Sequence, residues 1–267
     1  MKATKIAKYL LTIFLFVIGY VTSSKAQYPF EKYKAINYTK LAFKVSYLED
    51  TKTTRDIVYA KANLPGICKD NSRYSIFIKS YILKKTDDAI AIIYLKKDGK
   101  VFQKIIDKGF YLGGNALENI YIGDINGDSL PDIKFTCSNV SGAGLGSAWQ
   151  RRIYLFQQPN GKFRKIAYKD FYISGKSPLN DLNERSFDSD NSYKIITNQL
   201  VEYRGHNYWT FDLYEYKNGE LNCVDDKYDY PIMVEYLYRE NYEVTKKIFA
   251  EKMKTFKKEK PDEYDSR

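Results

Sequence analysis

From Ala42 onward, apolar and polar positions alternate in short runs, and β-branched and aromatic residues fill most of the apolar slots. A period of two predicts strands, because successive side chains of an extended backbone point to opposite faces. Three pairs of runs carry their own turn. Residues 89–95 and 101–106 flank Lys97-Asp98-Gly99-Lys100, residues 152–157 and 162–168 flank Pro159-Asn160-Gly161, and residues 208–216 and 221–224 flank Lys217-Asn218-Gly219. Asp-Gly and Asn-Gly supply the positive φ of a tight hairpin, so each pair predicts an antiparallel hairpin. After Pro231 the period lengthens. Val244, Ile248, Phe249, Met253 and Phe256 fall at helical spacing behind Thr245 as a cap, which predicts one C-terminal amphipathic helix. A charged tail follows over residues 257–267. The chain therefore reads as mostly β, with a single domain over residues 27–256.

The first 26 residues read differently. Residues 1–8 hold three lysines, residues 9–21 are apolar almost throughout, and residues 22–27 read T-S-S-K-A-Q. A basic end, an apolar stretch too short to span comfortably and small residues before a cut predict a signal peptide, cleaved between Ala26 and Gln27. No later stretch is apolar enough to enter a bilayer, so the mature chain is expected in the periplasm or beyond it, without membrane insertion. Lys2, Lys5, Lys8 and Lys25 leave with the signal, which lowers the formal charge from +10 to +6. That modest and evenly spread excess gives no ground for nucleic-acid binding. Cys68, Cys137 and Cys223 remain, an odd count that allows one disulfide with one thiol over, or three small apolar residues in the core. None stands in a metal-binding spacing.

Candidate chemistry concentrates in residues 121–135, Y-I-G-D-I-N-G-D-S-L-P-D-I-K-F. Asp124, Asn126, Asp128 and Asp132 occupy positions 1, 3, 5 and 9 of a nine-residue loop. A curled loop turns alternate side chains toward one centre, and Leu130 at position 7 is placed to lend its carbonyl. An all-oxygen set of three carboxylates, an amide and a carbonyl suits Ca²⁺ and not the nitrogen- and sulfur-loving transition metals. The loop is not an EF-hand, which needs glycine at position 6 and Glu at position 12, where this chain has Ser129 and Phe135. Strand-like residues on both sides, 120–122 and 133–135, place it between strands.

The pattern resembles the calcium loops of FG-GAP and VCBS repeats, D-x-N-x-D-G-x-x-D between strands of β-propeller blades, with Ser129 where glycine is usual. A degenerate second copy lies at Ser186-Phe187-Asp188-Ser189-Asp190-Asn191-Ser192-Tyr193-Lys194, 62 residues on and again followed by strand-like residues, 195–198. Ser186 and Lys194 replace the terminal carboxylates, so the Lys194 ammonium is expected to pair with Asp188 or Asp190 in place of an ion. Read as blades, this spacing implies a small or incomplete β-propeller-like fold.

Residues 138–149, S-N-V-S-G-A-G-L-G-S-A-W, follow the metal loop and its strand. They lack the helix and the Lys-Ser/Thr of a phosphate cradle and the G-x-S-x-G of a nucleophile elbow. With the export signal and the single calcium loop, the segment resembles the calcium-binding periplasmic immunity proteins related to type-I lysozyme inhibitors. There a Ser-Gly loop and a nearby tyrosine plug the cleft of a peptidoglycan hydrolase. The resemblance implies partner contacts at Ser141, Gly142 and Tyr154, with the calcium loop fixing the base of the Ser-Gly loop. His206 is the only histidine and has no serine in a nucleophile context, so no catalytic residue is assigned. The expected function is a non-catalytic, calcium-binding, exported binding protein that inhibits such a hydrolase. The alternatives are a carbohydrate-binding or cell-surface module, using Trp149, Trp209 and tyrosines, and a glycosidase with paired carboxylates.

Overall fold

A computed structural model of the chain describes residues 29–68, 70–108, 117–140, 148–171, 183–188, 192–203, 206–236 and 246–248. The expected signal peptide, 1–26, and the expected charged tail, 257–267, lie outside them. The fold is mostly β, in three antiparallel sheets, none of which closes on itself among the described residues.

The first sheet is a meander of β3 (Lys44–Leu48), β4 (Thr54–Asn63), β5 (Tyr74–Leu83), β6 (Ala89–Lys97) and β7 (Lys100–Lys108), ordered as in the chain. The second contains β8 (Leu117–Gly123), β9 (Asp132–Val140), β10 (Ala148–Gln157) and β11 (Phe163–Phe171), with β2 (Thr39–Ala42) added beside β8. The third runs through β12 (Glu184–Ser186), β13 (Lys194–Tyr203), β14 (His206–Lys217), β16 (Ile232–Tyr236) and β17 (Lys246–Ile248). In it, β1 (Lys34–Ala35) flanks β12, and β15 (Glu220–Cys223) shares β14. All three hairpins read from turn chemistry form, as β6–β7, β10–β11 and β14–β15, and Asp98, Gly99, Gly161, Asn218 and Gly219 carry the positive φ they require.

Among the described residues no C-terminal helix is seen. Lys246–Ile248 pairs with β16 as a strand, Ile248 opposite Met233, so the open edge of a sheet overrides the helical spacing there. The other residues of that expected helix lie outside the described ones.

The second sheet is covered on both faces. Ile133, Phe135 and Cys137 of β9 and Ile153 and Leu155 of β10 pack with Ile76, Ile78, Ile93 and Leu95 of the first sheet. Burying each such side chain contributes about 2 kcal/mol. On the opposite face, Tyr154 and Phe156 meet Ile195 and Tyr214 of the third sheet, together with Ile36 and Ile125. The third sheet has a further cluster, in which Phe30 and Tyr230 cover Trp209, Phe211 and Ile232.

Candidate functional site

The loop 124–132 joins two adjacent strands, because Gly123 at the end of β8 pairs with Asp132 at the start of β9. A side chain at Gly123 would meet the Tyr38 ring at 2.9 Å, so glycine permits the close approach here. Asp124 holds the curl. Its Oδ1 accepts the N–H groups of Gly127 (2.8 Å) and Asp128 (3.1 Å), and its Oδ2 accepts that of Ser129 (2.8 Å). Asn126 Nδ2 donates to Asp128 Oδ2 at 2.9 Å, and Leu130 N–H donates to Asp128 Oδ1 at 2.8 Å. Ser129 sits at φ +67°, in the left-handed region that glycine serves in the resembling loops. For a residue with a Cβ that conformation costs about 1–2 kcal/mol.

Asp132 anchors the loop from below. It is fully buried, its Oδ2 accepts the Ile125 N–H at 3.0 Å, and its Oδ1 accepts the Gln157 N–H of β10 at 2.9 Å. Burial pushes its carboxyl up to about 8, with the Asp128 and Asp124 charges adding to the rise and the two backbone donors opposing it. The donor set is all oxygen, as a hard cation needs. In the arrangement described, these side-chain oxygens accept from N–H groups of the loop itself and from the Gln157 N–H of β10. Among the described residues no group of three or more His, Cys, Asp or Glu side chains is gathered as a metal site.

The second loop occupies the equivalent place in the next sheet, between β12 and β13. Lys194 is buried, and its Nζ lies 2.8 Å from Ser192 Oγ, 3.6 Å from Asp188 Oδ2 and 3.4 Å from Glu215 Oε2. Asp190 lies outside the described residues. Asp188 also accepts from the Tyr228 hydroxyl and from Lys227 Nζ at 3.0 Å, and these contacts, with Lys194, hold its carboxyl below the ordinary range. The two loops touch, Tyr193 N–H donating to the Ile125 carbonyl at 2.9 Å.

The partner-facing residues fare differently. Ser141 and Gly142 lie outside the described residues, between β9 and β10. The loop 124–132 leads into β9 at Asp132, and β9 runs on to Val140, the last described residue before that segment. Tyr154 is a correction. It is fully buried against the third sheet and its hydroxyl donates to Glu184, so it faces no partner. Burial, then the Glu184 charge, raises its phenol well above the ordinary value. Trp209 is buried in the third-sheet core and offers no sugar-stacking face, whereas Trp149 is half-buried with Lys169 Nζ 4.6 Å from its ring centre. The three cysteines are free thiols.

Sequence reasoning missed a polar network sealed between the second and third sheets. Lys134 Nζ donates to Asn183 Oδ1 (2.6 Å) and Glu184 Oε2 (2.9 Å), and Arg152 donates to Asp170 Oδ2 (2.8 Å) and Asn183 Oδ1 (3.0 Å). All five side chains are fully buried. Asp170 and Glu184 are thus closed off and ion-paired, and do not form an accessible glycosidase pair. The signal available in sequence was charge at alternate positions of strands whose other positions are strongly apolar, as in I-K-F over 133–135 and R-I-Y-L-F over 152–156.

Comparison of the chain with family models, curated proteins and solved structures gives no significant match. Among the described residues no helix is long and apolar enough to cross a membrane.

Proposed function

We propose that the chain is an exported, calcium-stabilised binding protein that acts by docking and not by covalent chemistry. The observation that carries this reading is the oxygen-rich loop 124–132, pinned through buried Asp132 to Ile125 on one side and β10 on the other. Asp124, Asn126, Asp128 and Asp132, with the Leu130 carbonyl, would hold Ca²⁺, at about 10⁻⁴–10⁻³ M if it behaves as other extracellular modules do. The ion would offset the mutual repulsion of the carboxylates and lock the β8–β9 connection. Three sheets built largely as chain-order meanders, the second packed against both others, and two Asx-rich loops at equivalent places favour an incomplete propeller-like arrangement. The signal-like segment 1–26 favours export.

The test is thermal melting of residues 27–267 with calcium, with magnesium and with chelator. A calcium-selective rise in Tm supports the reading, and no shift returns the loop to a polar turn. For the partner, the resemblance to immunity proteins favours the cleft of a peptidoglycan hydrolase, entered by the Ser141–Gly142 segment without Tyr154. Ser141→Arg should abolish inhibition of such an enzyme while leaving Tm unchanged, and unaltered inhibition removes the segment from the mechanism.

A further inference from the structure

The charge that looks evenly spread along the sequence is sorted by the first sheet. Its inner face packs on the second sheet, so alternate residues of β3 to β7 form an outer face. One row crosses all five strands in register: Lys44, Lys61, Phe77, Tyr94, Lys104. The adjoining row is Ser46, Tyr59, Lys79, Ile92, Ile106, and Lys96 and Lys108 stand in the rows beyond. Six lysines thus share one face with no carboxylate in these rows, and none of the six forms an ion pair with a described residue. The sheet's acids lie in turns, as Asp50, Asp87 and Asp98 do, at the bulge of Asp56, or on the inner face, where Arg151 and Lys165 neutralise Asp107.

Two features show that this face is not an ordinary solvated surface. Lys44 stands directly opposite Lys61, a like-charge pairing that costs stability in an antiparallel sheet. Tyr59, Phe77 and Tyr94 form a continuous row of rings, with centroids 5.1 and 6.0 Å apart, and Lys79 and Lys96 lie over them at 5.8 Å from Tyr59 and 5.0 Å from Phe77.

We propose that this outer face binds an anionic polysaccharide, a sugar chain bearing uronate or sulfate groups. Its charges would meet the two lysine-rich ends of the row, Lys44 and Lys61 on one side and Lys104 on the other. Its apolar C–H groups would lie against Ile92 and the outer edges of the Phe77 and Tyr94 rings between them. From Lys61 to Lys104 is three strand spacings, about 14 Å, a span for an extended polymer crossing the strands. Ring faces already occupied by one another and by lysine are not offered to stacked bases, which disfavours a single-stranded nucleic acid. The most exposed large apolar residues on this face, Leu48, Val101 and Ile106, are divided between the two edge strands, which disfavours insertion into a lipid surface. The face is separate from the loop 124–132, so its binding is independent of calcium.

The test is binding of purified protein to heparin and to polygalacturonate in chelator, with neutral dextran, oligo-dT and phosphatidylglycerol vesicles alongside. Both anionic polysaccharides should bind and dextran should not, with affinity falling steeply as salt shortens the screening length to roughly 3 Å near 1 M. Lys61→Glu with Lys104→Glu should weaken binding by about tenfold or more, whereas Lys162→Glu in the β10–β11 turn with Lys217→Glu at the end of β14, the same change of net charge, should not. The first pair should keep or raise Tm, since a carboxylate in place of the Lys61 ammonium would oppose Lys44 favourably, and the Gln versions of both changes guard against misfolding. Equal weakening by the two pairs, binding only to oligo-dT or to vesicles, or no polysaccharide binding each overturns the proposal. A calcium-dependent Tm with no polysaccharide binding overturns it while leaving the loop reading intact.

Discussion

Asp132 and Lys194 occupy the same place in successive sheets, each buried and each opening the strand that follows an Asx-rich loop, and they carry opposite charge. The Lys194 ammonium reaches Ser192 and Asp188, which stand at positions 7 and 3 of its loop, so it holds in place the groups that an ion would gather. Lys194→Asp should therefore lower Tm in chelator, and calcium should restore part of the loss and raise the measured stoichiometry by one ion. Calorimetric titration checks this, and a loss of Tm indifferent to calcium would show that the second loop cannot be converted. Lys194→Met, which leaves Asp188 with Lys227 and takes this ammonium from Glu215, should lower Tm equally with and without calcium.

Asp132 makes the metal-free protein pH-sensitive. Its folded-state carboxyl is pushed up to about 8 by burial, whereas an aspartate in the unfolded chain titrates near pH 4. Between those values the folded state holds a proton that the unfolded state has released, so stability falls as pH rises. Melting in chelator should show Tm decreasing from about pH 5 to about pH 8, and Asp132→Asn should remove that slope. Saturating calcium should flatten it. A metal-free Tm that climbs over this window contradicts the assignment.

Ser129 offers a test of the turn itself. At φ +67° it pays for a Cβ that the resembling loops avoid with glycine, while Asp124 Oδ2 holds its N–H at 2.8 Å. Ser129→Gly should raise stability by about 0.5–1 kcal/mol, the relief of the left-handed backbone less the added entropy of the unfolded chain. Urea unfolding with and without calcium measures it. A loss of stability would mean that the serine hydroxyl, and not the backbone, sets the preference.

The strands and their hairpins were legible because local chemistry decides them: Asp98-Gly99 and Asn218-Gly219 can hardly do otherwise than turn. The placement of the Asp124–Asp132 loop between strands was legible for the same reason. What alternation does not disclose is which face meets solvent. Lys134 and Arg152 look like outward positions opposite Ile133 and Ile153, yet a third sheet covers them, and Tyr154 is drawn inside with them. That covering depends on Asn183 and Glu184, which lie far along the chain and leave no local mark. At residues 246–248 a strand stands where helical spacing was read, because an unpaired sheet edge, visible only in three dimensions, competes with that spacing.

The sealed network makes the last prediction. Lys134 and Glu184 are 2.9 Å apart with neither side chain exposed, so removing one partner leaves the other buried without its direct counter-charge. Lys134→Met should destabilise the protein by about 3–5 kcal/mol. Glu184→Gln added to it removes the orphaned charge while keeping an acceptor for the Tyr154 hydroxyl, and should recover at least about 1 kcal/mol. Arg152→Met should be as damaging, because Asp170 also accepts the Asn198 N–H and cannot simply turn to water. Chemical unfolding of the two single variants and the double variant closes the cycle. A double variant no more stable than Lys134→Met would show that the pair contributes shape and packing in place of charge compensation.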